Sequence, residues 1–148
     1  MQFLLRRMKE IILGIWLGLQ SYLDFKYKEI PVWLSIVGAV FGIIFCLLEK
    51  RQVLPVLLSL LPGICALLFS WITKEIMGYG DGVVLFVLGI YMPLKQLLST
   101  GMLAFGLAGL VALVLLVVFR KNGRYRIPFV PFLGIAFIME KLIVIGEI

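Results

Sequence analysis

The sequence predicts an all-α polytopic membrane protein with about six transmembrane helices. Three observations support this: 63% of the 148 residues are hydrophobic, only 15% are charged, and the mean hydropathy is +1.15. A soluble domain has roughly 45–50% apolar and about 25% charged residues. Because a spanning helix needs about 20 apolar residues, a chain of this length has room for six at most. We therefore expect a single transmembrane domain over residues 1–148.

The apolar runs give the expected spans in order, at about 11–23, 31–48, 53–72, 82–93, 98–119 and 127–145. Arg6, Arg7 and Lys9 precede the first run as in a signal peptide, but no small-residue cleavage site follows, so we expect an uncleaved span. The fourth run has about 12 residues, or roughly 18 Å of helix, which is too short to cross alone. We therefore expect the segment before it to lie at membrane depth as irregular backbone.

The composition argues against two classes of function. The net charge of +6 would suit nucleic acid, but the basic residues lie in short groups between apolar runs, where they anchor helix ends to lipid headgroups. Cys46 and Cys65 lie inside predicted spans and form no CxxC pair, and the chain has no histidine. We expect membrane lipid as a partner, no nucleic acid, no cofactor and no metal.

The candidate site centres on a polar, glycine-rich break at residues 74–82. Gly78, Gly80 and Gly82 would allow positive φ and close approach of other groups. Asp81 lies at the end of the break, and the only other aspartate, Asp24, follows the first span on the same predicted side. An ionisable residue inside the membrane is a candidate functional site. Aspartate also favours helix boundaries and turns, so a purely structural role is the alternative.

Two carboxyl groups that share a site can perform acid–base chemistry. Like charges in contact do not both ionise easily, so one carboxyl holds a proton while the other does not. Such a pair can act as general base on water and as general acid toward a carbonyl or leaving group. Asp24 and Asp81 are therefore the predicted catalytic pair, with Gly78 and Gly80 as backbone support.

The motifs resemble those of the type IV prepilin peptidases and preflagellin peptidases, which are aspartic membrane proteases. The resemblance rests on Asp24 with Lys28, Ile30, Pro31 and Trp33, on Gly78-Tyr79-Gly80-Asp81, and on Ile127-Pro128-Phe129-Val130-Pro131-Phe132. It implies an aspartic endopeptidase that cleaves the basic leader of prepilin-like proteins at the cytoplasmic membrane face.

Two features depart from that family's pattern. Val32 stands where the family often has asparagine, and the zinc-binding insert of longer members, with its paired CxxC motifs, is missing. We therefore expect no N-methyltransferase activity from this short form.

Two other functions stay open at this stage. Presenilin and signal-peptide-peptidase proteases share GxGD, but here Leu23 separates Tyr22 from Asp24, and no Pro-Ala-Leu motif occurs. A small transporter could use two intramembrane carboxylates for a proton or cation, but the halves of the chain show no inverted repeat.

The charge bias favours a cytoplasmic site only slightly. The loops on the side of Asp24 and Asp81 hold seven Lys and Arg residues against six on the other side. A basic leader needs acidic contacts there, and the candidates are Glu29 and Glu75, both near the aspartates in the sequence. The alternative is that these two glutamates only balance their neighbours Lys28 and Lys74. Nothing in the sequence indicates the oligomeric state.

Overall fold

The computed structural model describes residues 1–74, 78–120 and 127–147, and it contains six α-helices. They are α1 (Gln2–Tyr27), α2 (Val32–Leu48), α3 (Val53–Ile72), α4 (Tyr79–Tyr91), α5 (Leu94–Val117) and α6 (Val130–Gly146). The all-α prediction is confirmed. Two helices, α3 and α5, are long and apolar enough to cross a membrane, and crossing by all six stays a prediction.

The structure corrects the sequence-based boundaries near both aspartates. Helix α1 begins nine residues before the expected span and continues to Tyr27, so Asp24 lies in the last turns of a helix and not in a connection. The irregular backbone expected at the glycine-rich break is also wrong for the residues next to Asp81. Gly78 is the N-cap of α4, and Tyr79, Gly80 and Asp81 form its first turn.

Helix α4 forms the centre of the bundle. It contacts α2, α3 and α5, while α1 packs against α2 and α6, and α6 packs against α5. Eight of the 13 residues of α4 are buried. The pairing of α3 with α4 is close because Gly63 lacks a side chain, and an added Cβ there would meet the backbone of Phe86.

Proline and a helix cap define the end of the bundle opposite to the aspartates. Helix α4 ends at Tyr91, and its C-cap Met92 has an extended backbone, with φ of −126° and ψ of 152°, as expected for a residue before proline. Helix α2 ends in a Schellman motif. The Lys50 N–H donates to the Leu47 carbonyl at 3.2 Å, and the Arg51 N–H donates to the Cys46 carbonyl at 3.1 Å.

Basic residues occupy the left-handed backbone positions that follow four of the helices. The described non-glycine residues with positive φ are Lys28, Lys50, Lys74 and Arg120, with φ between 48° and 53°. A left-handed conformation costs a side-chain-bearing residue about 1–2 kcal/mol. A cation near a helix C-terminus interacts favourably with the helix dipole, which offsets part of that cost.

Candidate functional site

A cavity of about 370 Å³ lies where the C-terminal end of α1 meets the N-terminal ends of α2 and α4 and the residues before α6. Five of the six predicted site residues line it: Asp24, Glu29, Gly78, Gly80 and Asp81. The sixth, Glu75, lies outside the described residues. The structure thus brings the two aspartates to one cavity, while their catalytic role stays a prediction.

Asp24 is held by two helices. It lies on α1, and only 6% of its surface is exposed. One carboxylate oxygen, Oδ2, accepts a hydrogen bond from the Val130 backbone N–H at 3.1 Å. Val130 is the first residue of α6, so this donor is one of the N–H groups that a helix start leaves without an intrahelical partner. The contact fixes the carboxyl and places it at the positive end of the α6 dipole.

Asp81 reaches the same cavity from the start of another helix. It lies in the first turn of α4, and its backbone N–H donates to the Gly78 carbonyl at 3.2 Å. An acidic side chain in the first turn is stabilised by the dipole of its own helix, typically by about 0.3–1 kcal/mol. The N-termini of α4 and α6 both favour negative charge in this cavity.

Gly80 is required for close packing and not for an unusual backbone angle. No described glycine has positive φ, so the expected left-handed conformation at the break is wrong for Gly78 and Gly80. A Cβ added at Gly80 would lie 2.5 Å from Cδ1 of Ile30, which precedes α2. The missing side chain lets the first turn of α4 approach the α1–α2 connection that carries Glu29.

A second polar layer lies one helical turn below Asp24. Gln20 precedes Asp24 by four residues on α1 and is fully buried. Its Nε2 donates to the Ser35 hydroxyl at 3.0 Å, and Ser35 lines the cavity. Gln20 Oε1 has no hydrogen-bond partner within the described part of the chain. Buried amide oxygens normally have a partner, so this one is an exception within the described residues.

Reasoning from the sequence missed three residues of this site: Val130, Ser35 and Gln20. Val130 contributes a backbone N–H, which no side-chain pattern can indicate, although it falls within the Ile127–Phe132 motif. Gln20 had a usable signal, because residues four apart share one face of a helix. Ser35 had no usable signal, because a single serine in an apolar helix is common.

The sequence model of the type IV leader peptidase family matches residues 11–117. The matched range includes both aspartates, Glu29, Gly78 and Gly80, and it ends before α6. Neither a curated protein nor a solved structure matches the chain.

Proposed function

Because the chain belongs to the type IV leader peptidase family, we propose that it is a membrane aspartic endopeptidase with Asp24 and Asp81 as its catalytic dyad. Its substrate is a type IV prepilin-like precursor, from which it removes the basic leader peptide. The observation that carries this proposal is that Asp24 and Asp81 line one cavity from different helices. These two are also the only aspartates of the sequence.

The chemistry follows from a pair of carboxyl groups that share one proton. The ionised carboxyl removes a proton from a water molecule, and the water oxygen attacks the scissile carbonyl carbon. The protonated carboxyl donates its proton to the carbonyl oxygen, which gives a tetrahedral intermediate. The carboxyl that took the water proton then gives it to the leaving nitrogen, the other carboxyl takes back a hydroxyl proton, and the C–N bond breaks to release the amine and the new carboxylic acid. The Val130 N–H bonded to Asp24 supports the ionised form of that carboxyl.

The substrate approaches along a cavity wall that is partly acidic and partly apolar. Glu29 is exposed at the rim, and Ile30, Val83 and Phe129 line the apolar part. The apolar part would hold the hydrophobic stretch of a prepilin-like chain. Glu29, together with Glu75, would contact the basic leader.

The family and the two apolar helices indicate a membrane protein. We propose six membrane-spanning helices, with the cavity facing the cytoplasm. The 13 residues of α4 extend only about 20 Å, less than the roughly 30 Å of hydrocarbon, so its polar first turn would lie at membrane depth, inside the cavity. In this arrangement the leader lies at the cytoplasmic face while the apolar segment of the precursor stays in the bilayer.

The test is cleavage of a prepilin by the purified protein in detergent. Asp24→Asn and Asp81→Asn should each abolish cleavage while the protein still folds and inserts, because a dyad acts as a unit. Glu147→Gln, which removes a carboxylate outside the cavity, is the matched control and should retain full activity. A chelator should have no effect. Substantial activity in either aspartate variant, or loss of activity with the chelator, would contradict the dyad.

A further inference from the structure

A second and larger cavity, of about 760 Å³, lies at the opposite end of the bundle. It is formed by the starts of α1 and α5 and by the ends of α2, α4 and α6. On α1, Glu10 of this cavity and Asp24 of the other are 14 residues apart, or about 21 Å along the helix axis. The proposed peptidase chemistry uses none of its residues.

The charged groups of this cavity form cross-links between helices. Lys9 of α1 lies 2.8 Å from Glu49, which follows α2, and both side chains are mostly buried. Lys141 of α6 lies 2.7 Å from Glu10 of α1. Glu140 of α6 accepts a hydrogen bond from the Thr100 hydroxyl of α5. Each of the three carboxylates that line the cavity within the described residues is therefore already bonded to a neighbouring helix.

The cations of the cavity exceed its carboxylates. Among the described residues, five basic side chains line it, those of Arg6, Lys9, Arg51, Lys95 and Lys141, against the three carboxylates. Within the described residues, Arg6 and Lys95 form no ion pair. Arg51 donates to the Ile90 carbonyl at 2.7 Å, which satisfies part of its guanidinium and leaves its charge unneutralised. The net charge of the lining is +2, so the cavity attracts an anion.

The walls of the cavity are amphipathic. Leu13, Met92 and Phe137 are buried apolar residues that line its inner part, while Arg6 and Lys95 are exposed at its outer part. A ligand that fills it combines a negatively charged group with an apolar segment. A phosphate group on a glycerolipid has this chemistry, and polybasic sites at membrane surfaces bind such headgroups.

We propose that this cavity binds the phosphate group of an anionic phospholipid, with Arg6 and Lys95 as its principal contacts. The occupied site would close the end of the bundle opposite to the aspartates. Because Arg6 lies on α1 and Lys95 on α5, the bound phosphate would also connect these two helices, between which no other contact is described above.

The experiment measures lipid binding to the full-length protein in neutral detergent, by native mass spectrometry or by the shift of its unfolding temperature. The probes are phosphatidylglycerol, phosphatidylcholine and inorganic phosphate. We expect phosphatidylglycerol to bind more tightly than phosphatidylcholine, and Arg6→Gln with Lys95→Gln to weaken it by about tenfold or more. The difference should shrink as the salt concentration rises.

The matched control is Lys26→Gln with Arg120→Gln, which removes two charges from exposed positions that line neither cavity. It should bind phosphatidylglycerol as the wild type does. If inorganic phosphate reduces the binding of phosphatidylglycerol, the site recognises the phosphate group itself. If it does not, the site recognises the intact lipid. Equal affinity for the two lipids, or equal losses in the two double variants, would overturn the proposal. Since Arg6 and Lys95 are exposed, their replacement should leave the unfolding temperature without lipid unchanged.

Discussion

The absence of a side chain at Gly80 has a direct packing consequence. The nearest atoms to an added Cβ belong to Ile30, at 2.5 Å for Cδ1 and 2.9 Å for Cβ. Relief of that overlap requires movement of Ile30 or of the first turn of α4, and both line the cavity with the aspartates. Overpacking of this kind typically costs about 1–3 kcal/mol.

Gly80→Val should therefore reduce leader cleavage strongly while reducing the amount of inserted protein much less. Cleavage rate and yield of folded protein, measured together, test this. Ile30→Ala should restore part of the activity of Gly80→Ala, because it removes Cδ1 and Cγ1 of Ile30 and leaves only the Cβ contact at 2.9 Å. Gly106→Val is the control, since nothing lies within 4 Å of a Cβ at Gly106. A fully active Gly80→Val protein would show that this close approach is unimportant.

The acidic residues near the dyad lead to a separate prediction about binding of the leader peptide. Glu29→Gln combined with Glu75→Gln should raise the KM for a basic leader and leave kcat nearly unchanged. This result is expected when the lost contact stabilises the bound substrate and the transition state equally. An exposed ion pair contributes only about 0–1 kcal/mol, so the change should be modest. Steady-state kinetics at low and high salt test it, because screening should reduce the difference between variant and wild type. An unchanged KM at low salt would refute the role.

At the residue scale, sequence reasoning identified side chains and missed the groups that surround them. Asp24 and Asp81 stand out because they are the only aspartates in an apolar chain. The hydrogen bond from Val130 depends on where α6 begins relative to α1, and 106 residues separate the two partners. No local sequence pattern encodes a contact between residues so far apart in the chain.

Among the helices, the Schellman motif at the end of α2 contains an unfavourable residue. Lys50 occupies the left-handed position of this motif, where glycine is preferred, with a φ of 51°. The next residue, Arg51, is the last residue of the motif, and its guanidinium donates to the Ile90 carbonyl of α4. The motif thus determines where one of the cations of the larger cavity lies.

Lys50→Gly should raise the unfolding temperature, by an amount equivalent to about 1 kcal/mol, because glycine carries no Cβ penalty at positive φ. Thermal unfolding in detergent measures the change. Lys50→Ala is the matched control, since it removes the same charge and keeps the penalty. If both variants unfold at the same temperature, the backbone argument is wrong at this position.

Helix boundaries show what hydrophobicity can and cannot predict. The third span was predicted at 53–72, the bounds of α3, because polar residues flank the run on both sides. The extent of α1 was underestimated because Arg6, Lys9 and Glu10 favour helix without being apolar. The start of α4 was missed because glycine and aspartate read as a break, although both are common at a helix N-terminus.

For the whole molecule, the two cavities lie at opposite ends of the helix bundle, and this arrangement leads to a prediction about membrane topology. If α5 spans the membrane, residues 95 and 122 lie on opposite sides, with residue 122 in the cytoplasm. Single cysteines at these positions, in a background without Cys46 and Cys65, can be labelled in intact cells with an impermeant thiol reagent. Residue 95 should react and residue 122 should not. Labelling of residue 122 from outside would refute the orientation, and labelling of both would refute the span.

The hydrogen bond from Val130 to Asp24 has a consequence for mutational scanning. Its donor is a peptide N–H, so alanine in place of Val130 leaves the bond intact, and a complete alanine scan of α6 would report no polar contact with the dyad. Only a change to the main chain itself, such as an amide-to-ester replacement at residue 130 introduced by semisynthesis, removes that donor while keeping the side chain. A map of essential residues drawn from side-chain substitutions would therefore omit α6 from this site, although α6 supplies one of the groups that hold Asp24 in place.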